Sequence, residues 1–282
     1  MKLEFVEEIK GGYCSKVELY LDLETNIKWV LKTVAEDSIE EINNEKFFLQ
    51  ELKSHDLNPI EFNDYHAPNQ MLLEYLENST TVGTTNNAEA YRLFGEQVAK
   101  MHKISYQSVF KIDSSNQQVP IQWKDFIAEE LEYGLKRIEQ KKINFTKTEL
   151  SKISERITQL ANTPYSGIIT LLHCDLHTNN ALFVELPTKK VYLFDKGSSI
   201  VSGHAYYDLA IILIEFPHIF GLDKQSANDS ELLEAFIQRY GFNFWKNDNQ
   251  LIKNYVLLRA IGRIGSPFNP YLEDLIKSII SE

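Results

Sequence analysis

Leu172-His173-Cys174-Asp175-Leu176-His177-Thr178-Asn179-Asn180 is followed, fifteen residues after Asn180, by Asp195-Lys196-Gly197. Ile168 to Leu172 before this stretch and Ala181 to Val184 after it have the composition of short buried strands, and Val191 to Phe194 is a third that delivers Asp195 at its end. Pro187 to Lys190 reads as the turn joining the last two. Asn180 and Asp195 are therefore expected at adjacent ends of one hairpin. Asp175 lies five residues before Asn180, in the loop that enters it.

The pattern is H-x-D-L-x-x-x-N followed by D-x-G, the catalytic-loop and metal-binding pair of kinases. Phosphoryl transfer explains the residue types. An attacking hydroxyl needs a carboxylate to position it and accept its proton, which suits Asp175. Asn180 can offer a neutral amide oxygen to Mg²⁺, and Asp195 a charged one that holds the metal against phosphates.

Tyr206-Tyr207-Asp208-Leu209-Ala210 continues the match. From His173 to Ala210 the chain resembles the aminoglycoside phosphotransferase and choline kinase superfamily, relatives of the protein kinases. The resemblance implies an α+β, bilobal, protein-kinase-like fold: a small antiparallel β lobe with one helix over residues 1–73, a hinge at 74–77, and a larger, mainly helical lobe over 78–282. It also implies that Asp208 bonds backbone near the catalytic loop, and that Cys14 and Cys174 both lie near the phosphates, which makes a structural disulfide unexpected.

The N-terminal residues agree with a small β lobe. Lys2 to Ile9, Lys16 to Leu23 and Lys28 to Val34 read as strands, punctuated by Gly11-Gly12 and Glu24-Thr25-Asn26. Gly11-Gly12-Tyr13-Cys14-Ser15 would be the phosphate-covering turn, with Gly11, Gly12 and Ser15 against the nucleotide. Trp29-Val30-Leu31-Lys32 resembles the V-A-I-K strand, whose lysine contacts phosphates and pairs with a helix glutamate. Ser38-Ile39-Glu40-Glu41 has the form of a capping box opening the next helix. Along that helix Ile42, Phe48, Leu49 and Leu52 form an apolar stripe that includes Glu45. A carboxylate on an inward face needs a partner, so Glu45, and not Glu41, is expected to pair with Lys32. Asn69 to Leu73 reads as a strand leading into Glu74-Tyr75-Leu76, the hinge, where in the family backbone groups bind the nucleotide base. ATP and GTP are not distinguished by these residues.

Most of the remainder reads as helix. Asn86-Asn87-Ala88-Glu89 starts one that ends near His102. Trp123 to Ile138 is amphipathic, and Thr146-Lys147-Thr148-Glu149 is a capping box for another. In related kinases this helical pair walls the acceptor site. Its Glu129, Glu130 and Glu132 are read as a solvated face. Further helices are expected at Leu209 to Phe216, Ser230 to Tyr240, Asn249 to Ile264 and Pro270 to Ile280.

Composition narrows the partners. The chain has 282 residues and a formal charge of −11, which argues against nucleic acid and favours a small, cationic acceptor. Met1 to Glu8 lacks the apolar core of a secretory signal, and Leu209 to Ile214 is too short to span a bilayer, so a cytoplasmic protein without membrane contact is expected. Three features depart from protein kinases. Cys174 replaces the arginine of regulated kinases, and only ten residues separate Gly197 from Asp208, too few for an activation loop. Lys196 replaces the apolar middle residue of D-x-G and is expected to compete for Asp195 or for phosphate. The reading is a nucleotide-dependent small-molecule kinase using Mg²⁺, with aminoglycosides, choline, ethanolamine, thiamine and sugars as candidate acceptors. The alternative is a catalytically silent nucleotide- or metabolite-binding relative. Oligomeric state is not legible.

Overall fold

A computed structural model describes residues 1–9, 15–164, 167–197, 200–222, 228–241, 249–267 and 269–281. Gly11 and Gly12 lie outside the described residues, as do Cys14 and Trp245.

The N-terminal unit is an antiparallel sheet of β1 (Leu3–Glu8), β2 (Ser15–Asp22), β3 (Ile27–Val34), β4 (Phe62–Asp64) and β5 (Gln70–Glu74), in the order β1-β2-β3-β5-β4. Helix α1 (Ile39–Ser54) buries Ile42, Glu45, Phe48, Leu49 and Leu52, the expected stripe. Its expected capping box is absent. Glu36–Ser38 forms a 3-10 turn that runs straight into α1, and the Ser38 side chain makes no cap bond. Thr146 does form its box with Glu149, in both directions. The difference is local: Thr146 has the extended backbone a cap requires, and Ser38 does not.

Helix α1 also ties the sheet to the rest of the molecule. Asn44 Oδ1 accepts from Ile112 N at 3.0 Å, its Nδ2 donates to Ile112 O at 3.1 Å, and the Phe48 ring meets the His173 ring edge-on at 5.3 Å.

Beyond Glu74 come β6 (Ser79–Thr81), α2 (Val82–Thr85), α3 (Ala88–Met101), β7 (Ser105–Tyr106), β8 (Phe110–Ile112), β9 (Gln118–Pro120), α4 (Trp123–Gln140), α5 (Lys147–Asn162), β10 (Ile169–Leu171), β11 (Ala181–Val184), β12 (Lys190–Leu193), β13 (Ser202–His204), α6 (Tyr206–Ile214), α7 (Asp229–Tyr240), α8 (Asn249–Arg263) and α9 (Leu272–Ser281). Strands of two to four residues are too short to show a period, which is why β6 to β9 and β13 went unread. The expected hairpin is present: β11 pairs with β12, with Ala181 opposite Leu193. The core below it is helical. α8 packs on α4, α5 and α6, and α3 packs on α7 so closely that a Cβ on Gly95 would lie 2.3 Å from Phe236 O.

Candidate active site

The hairpin sets the geometry. Asn180 enters β11 and Asp195 lies just beyond β12, with Phe194 N donating to Asn180 O at 3.2 Å. Asn180 Nδ2 donates to Asp175 Oδ2 at 3.1 Å and to Asp175 O at 3.0 Å, so the loop carboxylate and the hairpin amide are one unit.

His173 supports that unit from below. It is fully buried, and burial pushes its pKa down to about 4, so the ring is neutral at pH 7. Nε2 lies 2.8 Å from Phe194 O and Nδ1 lies 3.3 Å from Asp175 N. A carbonyl can only accept and an amide N–H can only donate, so the proton sits on Nε2. Asp208, in the first turn of α6, accepts from His173 N and Cys174 N, each at 2.7 Å. Cys174 and Asp195 both have positive φ, +66° and +54°, the costly left-handed backbone that surrounding bonds must hold in place. The Cys174 thiol is buried, and burial pushes it up to about 11.

From the sheet side Lys32 Nζ reaches Glu45 Oε2 at 2.7 Å and Asp195 Oδ1 at 2.6 Å. Glu45 also accepts from Asp195 N at 3.1 Å. Burial lowers the lysine's pKa, yet Glu45 and Asp195 together raise it above its ordinary value, so Lys32 is a fixed cation. Glu41 is half-buried nearby, and its carboxyl is pushed up by burial despite Lys32. Ser15 opens β2 opposite Val34. At the end of β5, Glu74 N donates to Glu61 O and Tyr75 N to Lys28 O, while the Leu76 N–H has no partner among the described residues.

Lys196 does not compete for Asp195. Its ammonium is buried away from the cleft and donates to Gly197 O at 2.6 Å and Ile200 O at 2.5 Å, with its pKa lowered by burial. Glu130 is not solvated either. It accepts from the Tyr207 hydroxyl at 2.7 Å and pairs with Arg259 at 3.1 Å, whereas Glu129 and Glu132 are exposed as expected.

Two arginines of α8 were missed. Arg259 donates to Cys174 O, Tyr207 Oη and Glu130. Arg263 pairs directly with Asp175 Oδ1. Burial pushes the Asp175 carboxyl up, but Arg263 and then His177 outweigh it and hold it well below the usual carboxylate range. The available signal was two arginines four residues apart in a helix that also carries Ile252, Tyr255, Val256, Leu258 and Ile261, since charges among such apolar residues need partners.

The profile of the fructosamine kinase family matches residues 1–223. The chain belongs to that family. Its enzymatic class is small-molecule kinase. No curated protein matches it in sequence. Among solved structures it is similar to an aminoglycoside phosphotransferase in a ternary complex with AMP-PNP and hygromycin B, with TM-score 0.68, 13% identity, 99% of this chain and 94% of that one. Choline kinase LicA from Streptococcus pneumoniae superposes with TM-score 0.64, 16% identity, 98% of this chain and 95% of that one. Plasmodium vivax ethanolamine kinase superposes with TM-score 0.61, 19% identity, 99% of this chain and 78% of that one. At such identities the likeness establishes the fold, which is the protein-kinase-like fold expected from His173 to Ala210. No helix among the described residues is long and apolar enough to cross a membrane.

Proposed function

We propose that the protein transfers the γ-phosphoryl group of ATP, with Mg²⁺, to a hydroxyl of a small cationic acceptor of the fructosamine type, an amine-bearing sugar. The observation that carries this reading is the convergence of Lys32, Asp175, Asn180 and Asp195 from opposite sides of one cleft. The family supplies the acceptor class, and an ammonium suits a chain of charge −11.

The donor set fits the metal. Asn180 uses its Nδ2 on Asp175 and leaves its amide oxygen, and Asp195 is half-exposed with one oxygen beyond the Lys32 bond. One amide and one carboxylate form the sparse hard-oxygen pair that suits Mg²⁺ completed by phosphates and water. When bound, Mg²⁺ would neutralise charge on the phosphates.

The chain's own groups do the rest. Lys32, held by Glu45, would hold phosphate oxygens. The Leu76 N–H and the Glu74 carbonyl would bond the nucleotide base, with Gly11, Gly12 and Ser15 over the phosphates. Asp175, kept ionised, would align the acceptor hydroxyl and take its proton. Positioning and fixed charge supply the acceleration, without a covalent intermediate on the protein.

The test is ADP release with Mg²⁺ and ATP against a panel of a fructosamine, aminoglycosides, choline, ethanolamine and simple sugars. Turnover confined to the amine-bearing sugars supports the reading. Nucleotide binding without turnover on any acceptor would instead indicate the silent relative, and an acceptor without a cationic group would remove the charge argument.

A further inference from the structure

Asp175 is already fully engaged in the resting site. Oδ1 is taken by Arg263, while Oδ2 receives Asn180 Nδ2 at 3.1 Å and lies 3.5 Å from His177 Nε2, longer than a well-formed hydrogen bond. Asn180 is anchored three times more, through Nδ2 to Asp175 O at 3.0 Å and to Asp195 O at 3.4 Å, and through its backbone N to His177 O at 2.9 Å. Arg263 comes from a different element, the last residue of α8, and its side chain keeps 19% exposure.

The two α8 arginines differ in how their donors are spent. Arg259 is committed to Cys174 O, Tyr207 and Glu130, and its guanidinium lies 3.9 Å over the Tyr207 ring. The Arg263 guanidinium has Asp175 as its sole hydrogen-bond partner among the described residues. A planar guanidinium has five donors in a fork that can hold two anions at once. Lys32, across the cleft, is committed to Glu45 and Asp195.

Resting on the kinase reading above, we propose that Arg263 is a catalytic residue. One nitrogen stays on Asp175, and another meets an equatorial oxygen of the phosphoryl group in flight. In that step the acceptor oxygen forms its bond to the γ-phosphorus as the bond from that phosphorus to the β,γ-bridging oxygen breaks. The hydroxyl proton passes to Asp175 and ADP departs with the bond's electrons. Charge in that step is spread over the three equatorial oxygens and the departing bridging oxygen, and Arg263 is a cation that the fold places beside the base, within reach of the equatorial ones. It acts as an arginine finger supplied within the chain.

Removing one such preorganised donor should lower kcat on the order of 100-fold. A binding readout separates this from a role in merely holding Asp175. Affinities for Mg²⁺–ADP–aluminium fluoride, a mimic of the planar phosphoryl group, and for Mg²⁺–AMP-PNP, a ground-state analogue, are measured with acceptor present. The proteins are wild type, Arg263→Ala and Arg263→Lys, each also combined with Asp175→Asn, and thermal melting confirms that each is folded. The expected result is loss of mimic affinity on the order of 100-fold on Arg263→Ala, both with the native Asp175 and in the Asp175→Asn background. Lys should recover part of the loss, and AMP-PNP affinity should change by less than about twofold. Loss confined to proteins that retain Asp175 would show that Arg263 acts only through that carboxylate, and equal loss for both analogues would show ordinary phosphate binding. Either result overturns the proposal. Wild type binding neither analogue would overturn the kinase reading itself, and the proposal with it.

Discussion

Lys32 Nζ and Asp195 Oδ1, 163 residues apart, meet at 2.6 Å, and Glu45 grips both partners: Oε2 on the lysine, Oε1 on the backbone N–H of Asp195. The strand from one lobe and the hairpin from the other are thus closed by a single buried glutamate.

Lys32→Ala should weaken Mg²⁺–nucleotide binding by about 2 kcal/mol, the scale of a charge-assisted hydrogen bond. Glu45→Ala should do comparable damage by releasing the lysine. Because the two act as one unit, the double variant should cost less than the sum by roughly 1 kcal/mol or more. Calorimetric titration of the four proteins measures this. Simple additivity would mean that Glu45 does not work through Lys32.

Asp175→Asn preserves shape and removes the proton acceptor. Turnover should fall about 100- to 10,000-fold, while Mg²⁺–nucleotide affinity should fall far less, because Lys32 and Asp195 are untouched and Asn180 keeps its bond to Asp175 O even where the new amide no longer accepts from it. Steady-state kinetics beside nucleotide titration checks both halves, and an unimpaired kcat would remove Asp175 as the base.

How much of this was legible follows from where each signal is stored. Glu45 could be read because a carboxylate inside an apolar helical stripe is locally anomalous, and Asn180 and Asp195 because a hairpin fixes their relation within fifteen residues. Arg263 could not be assigned to Asp175, since the pair spans 88 residues and depends on how α8 docks. Ser38 was misread because a cap is a backbone conformation as much as a residue type. Lys196 was misplaced because sequence says nothing of which carbonyls a buried ammonium will find.

Acid should destabilise the fold through its buried histidines. Burial holds His173 at about 4 and His204 at about 3, against an ordinary 6.5. Below about pH 6.5 the unfolded chain takes up protons that the folded chain refuses, so stability falls with pH until each folded value is reached. Between pH 7 and 5 the two together should cost about 3 to 4 kcal/mol. His177, raised by Asp175 despite burial, works in the opposite direction and trims that loss. Asp175 and Asp208 are held below their ordinary range and titrate at lower pH, outside this window. Urea unfolding at the two pH values reads the difference, and His204→Gln should flatten the dependence whatever its own stability. An unchanged slope in that variant would mean His204 is not a buried neutral ring.

Asp208 carries the sharpest structural prediction. It is fully buried, and its two oxygens each hold one backbone N–H at the turn where Cys174 adopts φ +66° and hands the chain to Asp175. Burial pushes the carboxyl up, but the hydrogen bond from His102 and the two backbone N–H groups hold it below its ordinary range. Asp208→Ala strands two buried donors and should cost roughly 3 kcal/mol or more. Asp208→Asn is the more discriminating change. Its amide keeps one acceptor oxygen but turns an NH₂ toward a backbone N–H that can only donate, so it should be nearly as damaging as alanine although its shape is conserved. Both variants should lose turnover along with stability, because the left-handed turn that aims Asp175 is held by those two bonds. Equilibrium urea unfolding paired with kcat decides it: an Asp208→Asn protein within about 0.5 kcal/mol of wild type would show that the carboxylate's charge and two acceptors are not what fixes the loop.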